Sequence, residues 1–111
     1  MLRPGHYNTV IFRHRAGHCP FLEWLATLDQ MMSERVSSRI DRLKNGQFGD
    51  YRVIERNLYE LRLFFGPGYR VYFAERNGTT VLILAGGDKA SQKRDIKEAK
   101  NLWKIYQEDN P

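Results

Sequence analysis

The sequence predicts an α+β domain in which helices pack on a curved antiparallel sheet, and three observations carry that prediction. Between residues 51 and 86 apolar and polar side chains alternate with the period of two that strands need, and GPG and NG punctuate the run. On either side of that run apolar side chains recur at helical spacing instead. A chain of 111 residues, 41% hydrophobic and 28% charged, can bury one sizeable core, so residues 1–111 are expected to form a single domain. Helices grouped beside a strand run, rather than alternating with it, mark the α+β class.

Taken in order, the first element is a strand over residues 9–14, where TVIFRH carries β-branched and aromatic side chains. Pro20 suits the first turn of a helix, and Phe21, Trp24, Leu25 and Leu28 follow at helical spacing. A second helix over residues 32–44 carries Met32, Val36, Ile40 and Leu43 on one stripe and stops at Asn45-Gly46. The strand run then reads YRVIE, LYELRLFF, YRVYFAER and TTVLILAGG, an antiparallel meander. A last helix over residues 91–107 places Ile96, Ala99, Trp103 and Tyr106 on one side, with Leu102 beside them. The expected order is β-α-α-β-β-β-β-α.

Strand arithmetic picks out a polar face. If Gly66-Pro67-Gly68 is a three-residue loop, Leu63 meets Val71 and Leu61 meets Phe73 on one face, while Phe64 meets Arg70 and Arg62 meets Tyr72 on the other. A turn at Asn77-Gly78 would pair Val71 with Leu84, Tyr72 with Ile83 and Arg70 with Ala85. Arg62 and Arg70, each bracketed by apolar neighbours, then share a face with Tyr72. That face is either wet, with Glu60 and the arginines as solvated charges, or it is a phosphate-binding concavity fed by Gly86-Gly87-Asp88-Lys89. Asp88 or Ser91 is also placed to cap the last helix. Arg35, Arg39 and Arg42 align on the second helix, as a solvated face or as a surface that steers RNA.

Charge narrows the function classes. The net charge is +5, and twelve arginines against six lysines favour bidentate contact with phosphate. No apolar run approaches the ~20 residues of a membrane span, and MLRPGHYN lacks the apolar stretch of a signal peptide, so a cytoplasmic location without membrane contact is expected. Cys19 alone cannot form an internal disulfide, and His6, His14 and His18 are too scattered for a metal site. Gly86-Gly87 fits neither the dinucleotide nor the P-loop spacing, so no cofactor is expected.

The segments FLEWLATL, RIDRLKNGQFGDYRVI, LYELRLFFGPGYRVYF and LILAGGDKASQKRDIKEA stand in an order and spacing that resembles the RelE/ParE superfamily of toxins from bacterial toxin-antitoxin systems. The branch is the one called addiction module killer or HigB-like, and the resemblance covers nearly the whole chain. It implies a RelE-like fold and a cognate antitoxin, in this branch usually a helix-turn-helix DNA-binding protein. Members on the RelE side are metal-free ribonucleases that cut mRNA on the ribosome, whereas the ParE side poisons DNA gyrase. By position, Arg62 in the ELR run and Arg70 after the glycine turn correspond to basic residues that line the RNA site of the ribonucleases, with Lys89 of GGDK as a third. The chain departs from those members in having no C-terminal histidine or tyrosine placed as general acid or base, since Tyr106 lies within the last helix.

The resemblance and the residues together lead to an expected chemistry: attack of a 2′-hydroxyl on the adjacent phosphodiester, with Arg62 and Arg70 stabilising the phosphorane. Lys89 or Asp88 would move the proton. Tyr72 would stack on a base or donate to phosphate, or else be a half-buried partner of Ile83. The rival expectations are a protein-binding inhibitor such as a gyrase poison, and a degenerate toxin that only binds its antitoxin.

Overall fold

A computed structural model describes residues 2–111. The elements run β1 (Asn8–Ile11), α1 (Pro20–Leu25), α2 (Gln30–Leu43), β2 (Tyr51–Glu55), β3 (Leu58–Arg62), β4 (Arg70–Arg76), β5 (Thr80–Gly87) and α3 (Gln92–Asp109), in the predicted order of an α+β fold. The five strands form one sheet in the order β1-β5-β4-β3-β2. Strands β2 to β5 are the predicted meander. β1 instead lies parallel to β5, from Asn8 beside Thr80 to Ile11 beside Ile83, so the sheet is mixed at that edge.

Local chemistry sets the helix ends. α1 stops at Leu25 because the chain tightens there: Thr27 and Leu28 donate their backbone N–H groups to residues three back, and the Thr27 hydroxyl donates to the Trp24 carbonyl at 2.6 Å. Asp29 then caps α2, its carboxylate accepting from the Met32 N–H at 2.9 Å, which starts the helix two residues earlier than the apolar stripe suggested. After α2 the chain turns at Gly46, whose φ is +71° and where a Cβ would lie 2.6 Å from the Gly5 nitrogen.

Both hairpin registers differ from the arithmetic, in different ways. Across the first, Arg62 pairs with Arg70 and Leu61 with Val71, so the ladder sits two residues away from the expected pairing and residues 63–69 form the connection. Aromatic packing closes that connection: the Tyr69 ring lies 2.3 Å from where a Cβ on Gly66 would stand, and it meets Phe65 and Trp24 edge-on. A shift of two keeps every side chain on its face, so Leu61, Leu63, Val71 and Phe73 remain core and Arg62, Arg70 and Tyr72 still share the other side. In the second hairpin Arg76 pairs with Thr80 and Phe73 with Ile83, and an irregularity then brings Tyr72 opposite Ala85 and Arg70 opposite Gly87. The expected Tyr72–Ile83, Val71–Leu84 and Arg70–Ala85 pairs are therefore not formed: three residues, Asn77 to Thr79, separate the first pair and shift the ladder by one, and a bulged residue on β5 adds a second shift.

The core has two halves, one on each face of the sheet. Val36, Ile40 and Leu43 of α2 and Phe21 of α1 cover Leu61, Val71, Phe73 and Ile83. On the opposite face Ala99, Leu102 and Trp103 of α3 cover Leu58, Tyr72, Ala74, Leu82 and Leu84. Each large side chain removed from water this way contributes roughly 1.5–3 kcal/mol. The face expected to be polar is thus mostly dry, and only its end around Glu60, Arg62 and Arg70 keeps charges.

Candidate functional site

At that end Glu60 is fully buried and sits at the centre of a charged cluster. Strand pairing places Arg52 of β2 and Tyr72 of β4 directly beside it, and alternation along β3 puts Arg62 on the same face. Its Oε1 lies 3.3 Å from Arg52 Nε and 3.5 Å from Arg62 Nε, and its Oε2 lies 3.7 Å from Arg70 Nε. The Tyr72 hydroxyl donates to Oε2 at 3.0 Å, and Gln92, the first residue of α3, donates its amide to the same oxygen at 2.9 Å.

The protonation states follow from this geometry. Burial alone would push the Glu60 carboxyl up, but the hydrogen bonds from Gln92 and Tyr72 and the charges of Arg52 and Arg70 outweigh it, so the group is held below the usual carboxylate range. Burial first, and then the Glu60 charge, raise the Tyr72 phenol far above its ordinary value, so it stays a proton donor. Glu60 is therefore no solvated surface charge. It is the anion around which three guanidiniums are organised.

The predicted site residues fall into distinct places. Arg62 and Arg70 are brought together as expected, with side chains 39% and 15% exposed. Arg70 also donates from Nη1 to the Gly68 carbonyl at 2.7 Å, while its buried Nε has no hydrogen-bond partner. Tyr72 is fully buried, which corrects the expectation that it stacks on a base: its ring lies under α3 and its hydroxyl holds Glu60. Asp88 holds the turn ahead of α3, Oδ1 accepting from the Ala90 and Ser91 N–H groups at 2.9 and 3.1 Å, whereas Ser91 occupies the N-cap position without a side-chain cap hydrogen bond and donates its hydroxyl to Asp95. Burial raises the Asp95 carboxyl, opposed by that hydrogen bond and by Arg94. Lys89 is exposed, and its stem approaches the Gly68 turn from the same side as the Arg70 guanidinium.

Arg35, Arg39 and Arg42 do not stand apart from this region. With Arg62 and Asp50 they line a cleft of about 510 Å³ between α2 and the β3–β4 connection. It adjoins a second hollow of about 290 Å³ that also reaches Arg62 and continues to Arg70. Arg35 lies over the Phe65 ring at 4.0 Å, and Arg39 reaches the Phe48 carbonyl at 3.5 Å across Gly49, where a Cβ would strike its guanidinium. Burial, then the neighbouring charge of Arg42, lowers the Arg39 pKa, although the guanidinium stays charged. Among the described residues none of these three arginines makes an ion pair.

Sequence reasoning missed Glu60 as the organiser, together with Arg52, Gln92 and Phe64, whose ring is 84% exposed at the seam of the two hollows. The alternation E-L-R did carry the signal for Glu60, since it sets the carboxylate on the face of Arg62.

What such a surface offers chemically is a set of fixed positive charges in a concave setting, suited to a polyanion. Comparison with known proteins places the chain among relatives. It is 43% identical over 83 residues to an uncharacterised protein of Haemophilus influenzae, a match covering 74% of this chain and 84% of that one. The family of phage-derived Gp49-like proteins (DUF891) matches residues 23–104, from α1 through most of α3. The charged cluster and the arginine cleft both lie within that span, and the chain belongs to the Gp49-like family.

Proposed function

We propose that the protein is the toxin of a type II toxin-antitoxin pair and acts as a metal-independent, ribosome-associated mRNA endoribonuclease, restrained by a cognate antitoxin of the helix-turn-helix DNA-binding kind. The observation that carries this reading is the concave arginine surface, where Arg35, Arg39, Arg42 and Arg62 converge on one cleft. In the reaction the 2′-oxygen of one nucleotide bonds to the adjacent phosphorus, the bond from phosphorus to the 5′-oxygen breaks, and a 2′,3′-cyclic phosphate and a 5′-hydroxyl result. One proton leaves the 2′-hydroxyl and one is delivered to the departing oxygen. Arg62, with Arg70 behind it, stabilises the extra phosphorane charge. Lys89, exposed beside Arg70, is the group proposed to move a proton, since Oδ1 of Asp88 is engaged by the Ala90 and Ser91 N–H groups of the turn ahead of α3.

The test is expression without the antitoxin, followed by mapping of mRNA ends. Codon-positioned cuts are expected, and Arg62→Ala should lower cleavage at least about a hundredfold with the fold intact. Intact mRNA with DNA-damage signalling would replace this reading by the rival, a non-enzymatic inhibitor such as a gyrase poison. That rival, and a degenerate toxin that only binds its antitoxin, draw on the β2 edge, where Val53 and Tyr51 are exposed on a terminal strand open to a protein partner.

A further inference from the structure

Phe64 has no structural task that the fold explains. Its neighbours Leu63 and Phe65 point into the body of the protein, Leu63 buried and Phe65 covered by Arg35 and packed on Tyr69. Phe64 alone is left 84% exposed, and among the described residues its ring pairs with no other aromatic ring. It stands at the seam between a cleft where Arg35, Arg39 and Arg42 lack carboxylate partners among the described residues and a hollow that leads to Arg70. An isolated apolar ring among unneutralised guanidiniums is poorly suited to an apolar protein partner, whose contact would bury the arginines without pairing them. It suits a ligand that carries flat apolar faces and regularly spaced negative charges together.

We infer that the cleft between α2 and the β3–β4 connection is a nucleotide subsite for single-stranded RNA, in which one unstacked base lies on the Phe64 ring while the phosphates beside it are held by Arg39, Arg42 and Arg62. The volume falls in the range of pockets that take one small ligand moiety, such as a nucleotide. Ser38, Gln47 and Asp50 on the same walls supply groups able to meet sugar hydroxyls or a base edge. The subsite rests on the ribonuclease reading and adds to it a base-contacting residue outside the charged cluster.

Binding of a short fluorescent 2′-O-methyl RNA to the purified full chain tests this, because that strand lacks the attacking hydroxyl and binding is read without cleavage. Phe64→Ala should weaken binding roughly five- to a hundredfold and leave the salt dependence unchanged. Arg42→Gln should weaken binding and lower the slope of log affinity against log salt by about 0.7 for the lost phosphate contact. Phe64→Trp should keep or improve affinity, and a strand made abasic throughout should bind the wild type and Phe64→Ala alike. If the wild type binds RNA and Phe64→Ala binds equally well, the subsite is overturned and the ribonuclease reading stands. If the wild type binds no RNA at low salt, the subsite is overturned while mRNA-end mapping decides the ribonuclease reading on its own, and loss of antitoxin or gyrase binding in Phe64→Ala would assign the ring to a protein interface.

Discussion

The two groups of arginines are alike in charge and opposite in circumstance. Arg52, Arg62 and Arg70 surround one buried carboxylate, so much of their charge is spent inside the protein. Arg35, Arg39 and Arg42 face a cleft and have no acidic partner among the described residues. The first group can hold its geometry under load, because Tyr72 and Gln92 fix the anion at its centre. The second is free to meet an incoming polyanion, and its strength should depend on salt. Arginine content therefore says little about binding until the carboxylates are located.

The largest effect should come from breaking the first group at its centre. Glu60→Ala leaves three guanidiniums without the anion they surround and takes away the acceptor of the Tyr72 phenol and the Gln92 amide, and removal of one member of a buried ion cluster costs about 3–5 kcal/mol. Urea denaturation should show that loss, whereas Arg42→Ala, on the exposed stripe, should shift stability by no more than about 0.5 kcal/mol while weakening RNA binding. Equal stability of the two variants would erase the contrast.

Acid sharpens the same contrast at smaller amplitude. Because the Glu60 carboxyl is depressed in the folded protein, its contribution is complete above the ordinary carboxylate range and is lost as the pH falls through the lower folded value. Asp95, raised by burial, works the other way: its contribution is present at acid pH and is lost as the pH rises. In Glu60→Gln the acid limb of the stability curve should flatten and its neutral plateau should drop. An acid limb as steep as that of the wild type would show that other carboxylates carry it.

Lys89 should give the smallest change in stability. It is exposed and Lys89→Met keeps the stem, so the denaturation midpoint should move by no more than about 0.5 kcal/mol. Cleavage is the discriminating readout: a large loss in that variant would join Lys89 to the arginine cluster as a catalytic group, and wild-type cleavage between about pH 6 and 9 would remove it from the mechanism.

Much of this was legible in the chain. The period of two across β3 and β4 was enough to put Arg62, Arg70 and Tyr72 on one face, and a register error of two residues left that grouping intact because side chains alternate with the same period. The same arithmetic failed across β4 and β5, where a three-residue turn in place of the expected two shifts the ladder by one from Arg76 to Phe73 and a bulge on β5 shifts it by one more from Tyr72 to Arg70. Asp88 and Ser91 could be read as the entry to α3, since such contacts join close neighbours in sequence, but Asp88 binds the N–H groups just ahead of the helix and Ser91 stands at the N-cap without a side-chain cap bond.

Local spacing thus determined by itself the element order, the two amphipathic helix stripes, the strand parity and the excess of arginine, because each depends on residues a few positions apart. Three matters were decided only by the tertiary structure: that α3 dries the second face and buries Tyr72, that Glu60 gathers arginines from three strands, and that α2 turns its stripe toward Arg62 and Phe64. Each depends on which surfaces meet across tens of residues of chain, and burial, which converts a solvated glutamate into the fixed centre of a charged cluster, exists only once those surfaces have met.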